Sequence, residues 1–260
     1  MKRITLIALA LCMVFGMAAC TQPAAPAETR TLIVGLDDTF APMGFRDEAN
    51  KLVGFDIDLA TAVGEQMNVT IQFQPIDWDS KEMELTAKTI DCIWNGMSRT
   101  PSREEAMTLS QNYLNNRIAI MSVPGVVINT KEDLANYQIG TQAKSSALEM
   151  IQADPIYDIV KNNLMEYATY DQVILDMQAG RVQVMIVDEV LGQYKNNNLE
   201  PKFEISEVGF GDDFYVIGFR KEDTALCGEV EAAIKALSQS GKAAEISQKW
   251  FGENLVLEMN

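Results

Sequence analysis

Short β-branched runs alternate with helical patterns along most of this chain, and that alternation restricts its fold more than any other feature. Strands separated by helices pair in parallel only when the helices cover the faces of the sheet. Thr31 to Leu36 reads as the first strand, followed by a helix over Phe55 to Met67 with Leu59, Ala60, Val63 and Met67 along one face. A strand over Thr70 to Gln74 comes next. Asp79, with Glu82 three residues on, marks the next helix start, and that helix leads to a buried strand over Ile90 to Trp94. A second series repeats the pattern. Tyr137 to Gln142 reads as a strand and Ser146 to Ala153 as a short helix. Thr169 with Gln172 forms a capping box opening a helix that closes at Gly180, and Val182 to Val187 is a buried strand run. One more strand, Phe214 to Arg220, precedes helices Leu226 to Gln239 and Ala243 to Phe251, separated by Gly241. Two α/β units with mostly parallel sheets are expected.

The N-terminus carries an address. Ile4 to Ala19 is apolar, sits behind Lys2 and Arg3, and ends in Met17-Ala18-Ala19-Cys20. It is shorter than the ~20 residues that cross a bilayer as a helix, and its basic start and small-residue end predict a cleaved export signal over residues 1–19. Cys20 is then the first mature residue, where diacylation would tether the protein to a membrane face. Residues 20–30, which contain the Pro/Ala-rich Thr21 to Glu28, read as a spacer.

Charge and residue types exclude several functions. A formal net charge of −16 disfavours nucleic acid, because the field repels phosphate backbones. The chain contains no histidine, which removes Ser/His and Cys/His catalysis and the commonest metal ligand. Neither a metal nor a cofactor is expected. Of the four cysteines, Cys12 leaves with the signal and Cys20 is the lipidation site. Cys92 and Cys227 either pair after export or stay as buried free thiols.

The segment Gly96-Met97-Ser98-Arg99-Thr100-Pro101-Ser102-Arg103 carries the most chemistry. It reads as a strand-to-helix turn in which Thr100 caps the helix and Pro101 takes its first position, placing Ser98 and free N–H groups where an anion binds. Arg103 falls in the first turn, where a cation opposes the helix dipole unless an anion offsets it. Arginine also grips carboxylates through two parallel hydrogen bonds. The competing reading pairs Arg103 with Glu104 or Glu105. Asp188, at the end of a buried run, is suited to an ammonium group or to capping a helix. Lys144-Ser145-Ser146 supplies hydroxyls and N–H donors at another helix start. Phe40 and Trp78 lie in loops after strands, where an aromatic walls a pocket or joins the core.

Taken together, Gly35-Leu36-Asp37-Asp38-Thr39-Phe40-Ala41-Pro42, Gly54-Phe55-Asp56-Ile57-Asp58-Leu59-Ala60, the turn Gly96 to Arg103, Gly180-Arg181-Val182 through Asp188-Glu189-Val190, and Gln248-Lys249-Trp250-Phe251-Gly252 carry a family resemblance. The chain resembles the extracellular solute-binding proteins of polar amino-acid ABC transporters from about Leu32 to Gly252. That resemblance implies an α/β, two-lobed periplasmic-binding-protein-like fold with a ligand cleft between lobes joined by two hinge strands. Lobe one would hold residues 31–117 and 218–260, and lobe two residues 118–217. Arg103 would clamp the α-carboxylate of a free amino acid, with Ser98 and Ser146 as donors. The Gly96 carbonyl and Asp188 would receive the α-ammonium, and Phe40 would cover the side chain, with Trp78 as a second wall. Asp37 matches the position that faces a cationic side chain in relatives taking lysine, arginine or histidine, so a cationic or polar ligand is favoured. Met43-Gly44-Phe45 departs from the usual aromatic after Pro42, and Lys144 stands where the family commonly has Gly. The Gly54 to Ala60 segment is assigned to folding, since Asp56 and Asp58 favour a helix start. A monomer that hands its ligand to ABC permease subunits is the leading expectation. An exported dehydratase-like enzyme on the same scaffold and a ligand-binding sensor are the alternatives.

Overall fold

The computed structural model describes residues 30–259. The expected signal, Cys20 and the spacer up to residue 29 lie outside the described residues.

The first wing opens with β1 (Thr31–Leu36), which is almost wholly apolar and buried from Val34 onward. Three short strands, β2 (Thr39–Phe40), β3 (Gly44–Arg46) and β4 (Leu52–Val53), form a separate antiparallel sheet. Next, α1 (Phe55–Met67) buries Phe55, Leu59, Ala60 and Val63 and ends on Asn68 in the left-handed region at φ 53°. β5 (Thr70–Pro75) pairs in parallel with β1. A 3-10 turn, Trp78–Ser80, leads into α2 (Lys81–Thr86), then β6 (Cys92–Ser98), α3 (Pro101–Ala106) and β7 (Thr108–Leu109).

The long strand β8 (Leu114–Ser122) carries the chain into the second wing. A second 3-10 segment, Lys131–Asn136, precedes β9 (Ile139–Gln142), α4 (Ser146–Ala153), α5 (Tyr157–Val160) and β10 (Leu164–Tyr167). Then come α6 (Tyr170–Gln178), β11 (Val184–Asp188) and α7 (Glu189–Asn196). The 16-residue β12 (Glu204–Phe219) returns to the first wing, and α8 (Thr224–Gln239) and α9 (Lys242–Phe251) close the chain.

Where two mostly parallel sheets were expected, the remaining strands form one sheet in the order β10-β9-β11-β8-β12-β6-β1-β5, with β7 also pairing β12. Its wings are parallel, but β8 and β12 run antiparallel to each other and to their neighbours β11 and β6. Helical crossovers dictate parallel pairing within each wing, whereas the two connecting strands pass directly between wings and are free to pair antiparallel. Register breaks around Gly209 and Gly211 interrupt the β8–β12 ladder, and such irregularities bend a strand. The expected lobe boundaries, 117/118 and 217/218, fall inside these two strands. Each wing has its own apolar packing: Ile120, Ile139, Ile151 and Ile186 in one, and Leu85, Ile90, Ile93 and Met97 in the other.

Other sequence expectations need adjustment. The strand expected over Ile90 to Trp94 runs on to Ser98, so only Arg99 and Thr100 form the turn before α3. Asp79 does not open a helix; it sits inside the 3-10 turn, and α2 starts two residues later without a side-chain cap. Thr169 caps α6 by accepting from Gln172 N, while the Gln172 side chain accepts from Ala168 N, one residue outside a true capping box. Cys92 and Cys227 are buried free thiols. Asp58 ties α1 to the last helix, accepting from Lys249 Nζ at 2.6 Å and Trp250 Nε1 at 2.7 Å.

Candidate ligand-binding site

Two parallel strands from each wing direct their carboxyl ends at one seam between the wings, which is where open α/β sheets place ligand groups. β1 ends beside Asp37, β6 at Ser98, β9 at Gln142 and β11 at Asp188. Side chains from the two wings meet there. Ser98 Oγ lies 2.8 Å from Ser146 Oγ, and Gln142 Nε2 donates to Asp37 Oδ2 at 2.8 Å.

The cationic end is built on α3. Thr100 Oγ1 accepts from Arg103 N and Pro101 occupies the first turn, so the helix start is fixed as expected. The Arg103 side chain is buried: Nη1 donates to Ser98 O at 2.7 Å and Nη2 to Lys144 O at 3.3 Å, with the guanidinium 5.9 Å from the Trp78 ring centre. Its Nε is buried without a hydrogen-bond partner, and among the described residues Arg103 forms no ion pair. Glu104, one of its possible partners, binds Arg99 at 2.7 Å instead. A buried guanidinium whose hydrogen bonds go only to carbonyls is costly unless an anion joins it.

The anionic end is built on β11 and the strands beside it. Asp188 heads α7 but makes no capping hydrogen bond. Its Oδ1 accepts from Asn116 Nδ2 at 2.8 Å and Tyr215 Oη at 3.1 Å. Burial, followed by the nearby negative charge of Asp213, pushes its carboxyl up to about 7. Asp213 Oδ2 accepts from Ser98 Oγ at 2.6 Å and Asn116 Nδ2 at 2.7 Å, and burial raises its carboxyl as well. One Asn116 amide therefore serves two buried carboxylates.

Behind these groups, Gly96 sits at φ 56°, and a Cβ there would stand 3.0 Å from Phe40 Cε1 and Met43 Cγ and 3.1 Å from Tyr215 Cε2. Its N–H donates to Asp56 Oδ2 at 2.7 Å, and Tyr113 Oη donates to the same carboxylate. Burial lifts Asp56 to about 7 despite these bonds. Asp56 thus does more than favour a helix start, because it fixes the backbone that carries Gly96. Gly96→Ala is expected to cost about 1–2 kcal/mol through the left-handed backbone alone. It also presses on Phe40, so thermal denaturation should show a lower Tm and titration a weaker ligand affinity.

Closing contacts flank the site. Lys144 has φ 51°, a conformation that explains why glycine suits this position, and its exposed Nζ donates to Asp79 O at 2.9 Å, outside the seam's buried groups. Lys81, which is fully buried, donates to Trp78 O and Lys144 O and lies 4.8 Å from the Trp78 ring centre. Burial, followed by the charge of Arg103, lowers its ammonium to about 8. Phe40 stands 6.2 Å from the Tyr170 ring across the seam. Beyond Asp37 the seam widens into a cavity of about 540 Å³ lined by Asp37, Trp78, Ala143 and Glu166 among others, a size suited to a small molecule.

The structure therefore brings Arg103, Ser98, Ser146 and Asp188 into one hydrogen-bonded cluster with Gly96, Phe40, Asp37 and Trp78 around it. Sequence reasoning missed Asn116, Asp213, Tyr215, Gln142 and Lys81. A usable signal existed for the first three: they are polar residues on the buried alternation of strands, Leu114/Asn116/Ile118 and Asp213/Tyr215/Ile217.

Two α/β wings hung on a shared pair of strands, with charged groups of both signs buried between them, define a two-lobed binding protein with a ligand cleft between its lobes. A family model for bacterial extracellular solute-binding proteins, family 3, matches residues 32–253, and the chain belongs to that family. It is 25% identical to the arginine-binding extracellular protein ArtP of Bacillus subtilis, over 96% of this chain and 98% of ArtP. It is 26% identical to the lysine/arginine/ornithine-binding periplasmic protein of Escherichia coli, again over 96% and 98%. Among solved structures, a substrate-binding protein of an ABC uptake transporter from Streptococcus pneumoniae with bound histidine matches with a TM-score of 0.82. Sequence identity there is 37%, over 88% of this chain and 95% of that one.

Proposed function

We propose that this protein captures a free amino acid, with a cationic one preferred, between its lobes and delivers it to an ABC importer. One observation carries the reading: a buried guanidinium without an ion pair, Arg103, shares a hydrogen-bonded cluster with a buried carboxylate, Asp188. This arrangement complements the two ends of a zwitterion. Arg103 receives the α-carboxylate with the Ser146 hydroxyl as a further donor, while Ser98, whose hydroxyl hydrogen goes to Asp213, anchors Arg103 through its carbonyl. Asp188 and the Gly96 carbonyl receive the α-ammonium, and Phe40 and Trp78 wall the side chain, which points toward Asp37.

Charge supports the cationic preference. Two buried cations, Arg103 and Lys81, stand against three buried carboxylates, Asp37, Asp188 and Asp213, so a ligand with a net positive charge neutralises the site further than a plain zwitterion does. The named ligands of the relatives, arginine, lysine, ornithine and histidine, agree with that preference. Lobe one comprises residues 31–117 and 218–260 and lobe two residues 118–217, with β8 and β12 as hinges. Cleavage before Cys20 and lipidation of that residue hold the monomer on the outer face of the membrane, near its permease.

A thermal-shift screen of refolded, ligand-free protein against the twenty amino acids and ornithine tests the reading. A ligand present at 100 times its Kd adds about 2.7 kcal/mol of stability, which is readily seen as a Tm rise. Arginine, lysine, ornithine or histidine should give the largest rise. No rise with any amino acid would overturn the proposal, and a largest rise with an acidic one would overturn the cationic preference. In cells, Cys20→Ser should release the protein from the membrane fraction, and retention there would exclude this anchor.

A further inference from the structure

We propose that Asp213 is a second ammonium-recognition residue: with Asp188 it forms a two-carboxylate receptor, held together by Asn116, for the α-ammonium of the ligand. The proposal rests on the amino-acid reading given above and extends it to a residue in no motif.

Three observations lead to it. In the β8–β12 ladder Asp213 lies directly opposite Asn116, and the Asn116 amide donates to both carboxylates, to Asp188 at 2.8 Å and to Asp213 at 2.7 Å. An amide nitrogen with both its hydrogens so engaged fixes the two acids side by side. Second, Asp213 Oδ2 also accepts from Ser98, so it belongs to the same hydrogen-bonded cluster as Arg103 and Ser146. Third, Asp213 is only 2% exposed, yet its Oδ1 is buried without a hydrogen-bond partner among the described residues.

A structural acid in a strand would not stay in this state. Burying a carboxylate oxygen without a donor is expensive, and doing so beside a second carboxylate adds like-charge repulsion. Asn at position 213 would remove that repulsion and keep an acceptor for Ser98. An incoming ammonium repays both costs at once, because it carries three donors and needs more than one acceptor. On Asp188, Oδ1 is already engaged by Asn116 and Tyr215, so that residue alone offers its Oδ2, whereas the pair adds Asp213 Oδ1 as a second acceptor.

The test compares wild type with Asp213→Asn by calorimetric titration, using L-arginine and its des-amino analogue, 5-guanidinopentanoic acid. The remaining cationic amino acids and their des-amino analogues are run in parallel. Asp213→Asn should weaken amino-acid binding tenfold or more, in line with the loss of a charged hydrogen bond, while the des-amino affinity holds or improves. Equal losses for both ligands would show that Asp213 acts only by shaping the site, and would overturn the proposal. Amino-acid affinity within twofold of wild type would overturn it too. Should Asp213→Asn fail to fold, Asp213→Ser carries the same comparison. A wild-type protein that binds none of these amino acids overturns the amino-acid reading itself and this proposal with it; a wild type that binds beside an indifferent variant removes Asp213 alone.

Discussion

Arg103→Ala is expected to abolish measurable amino-acid binding while leaving the ligand-free fold intact. Removing one partner of a buried, hydrogen-bonded charge pair costs about 2–5 kcal/mol, so the Kd should rise from tens of times to a few thousand times. The ligand-free protein responds differently, because among the described residues the guanidinium hydrogen-bonds to the carbonyls of Ser98 and Lys144 and to no carboxylate. Losing them leaves two acceptors short of donors, but it also relieves the burial of an unpaired cation. These effects oppose each other, and the Tm of the ligand-free variant should stay within a few degrees of wild type. Arg103→Lys should recover part of the affinity and not all of it, since an ammonium keeps the charge but lacks the planar fork that meets both carboxylate oxygens. Titration of the three proteins with the tightest-binding amino acid, beside their melting curves, reads both quantities. Unchanged affinity in Arg103→Ala would refute the carboxylate assignment.

The ligand-free protein should lose stability as pH rises from about 4 to about 7, and ligand should cancel part of that loss. Asp56 and Asp188 both titrate near 7 in the folded chain, because burial disfavours their charged forms. An unfolded aspartate titrates near ~3.9. Between those values the folded state holds more protons than the unfolded state, so stability falls with rising pH. A shift of this size corresponds to roughly 4 kcal/mol per group as an upper bound. Carboxylates with lowered values, such as Asp133 and Asp176, work in the opposite sense, but their contribution fades only below the ordinary carboxylate range. A bound ammonium beside Asp188 removes that residue's share, whereas Asp56 sits behind Gly96 and keeps its own. The Tm increment from saturating ligand should therefore grow from pH 5 to pH 7.5, and Asp56→Asn should flatten the ligand-free profile. Melting curves at these pH values, with and without ligand, check both; a ligand-free Tm that rises over the interval would contradict the assignment.

The residues legible in the sequence share a property that the others lack. Ser98 and Asp188 end buried strands, and Arg103, Ser146 and Asp188 sit at or in the first turn of a helix, so local chemistry alone marks them. Thr100 with Pro101 is a strong local signal, and the structure keeps it. Asn116 and Asp213 are distant in sequence and become neighbours only through the antiparallel register of β8 and β12. Nothing within either segment specifies that register, which depends on the bulges at Gly209 and Gly211 and on the whole sheet. The same cause explains the error over sheet type: periodicity identifies a strand but not its partner. Asp56 was underestimated for a related reason. A carboxylate near a helix start has a sufficient local explanation, and only the tertiary contact with Gly96 and Tyr113 reveals another.

The Lys144 carbonyl has a kinetic consequence. It receives Arg103 and Lys81 from the opposite lobe, so the guanidinium proposed to hold the ligand carboxylate also grips the other half of the protein. On that proposal, escape of the ligand waits on separation of the lobes, and residence time should follow how often that carbonyl lets go. A protein built this way acts as a timer as well as a trap: two amino acids of equal affinity would leave at different rates if one of them pulled Arg103 away from Lys144.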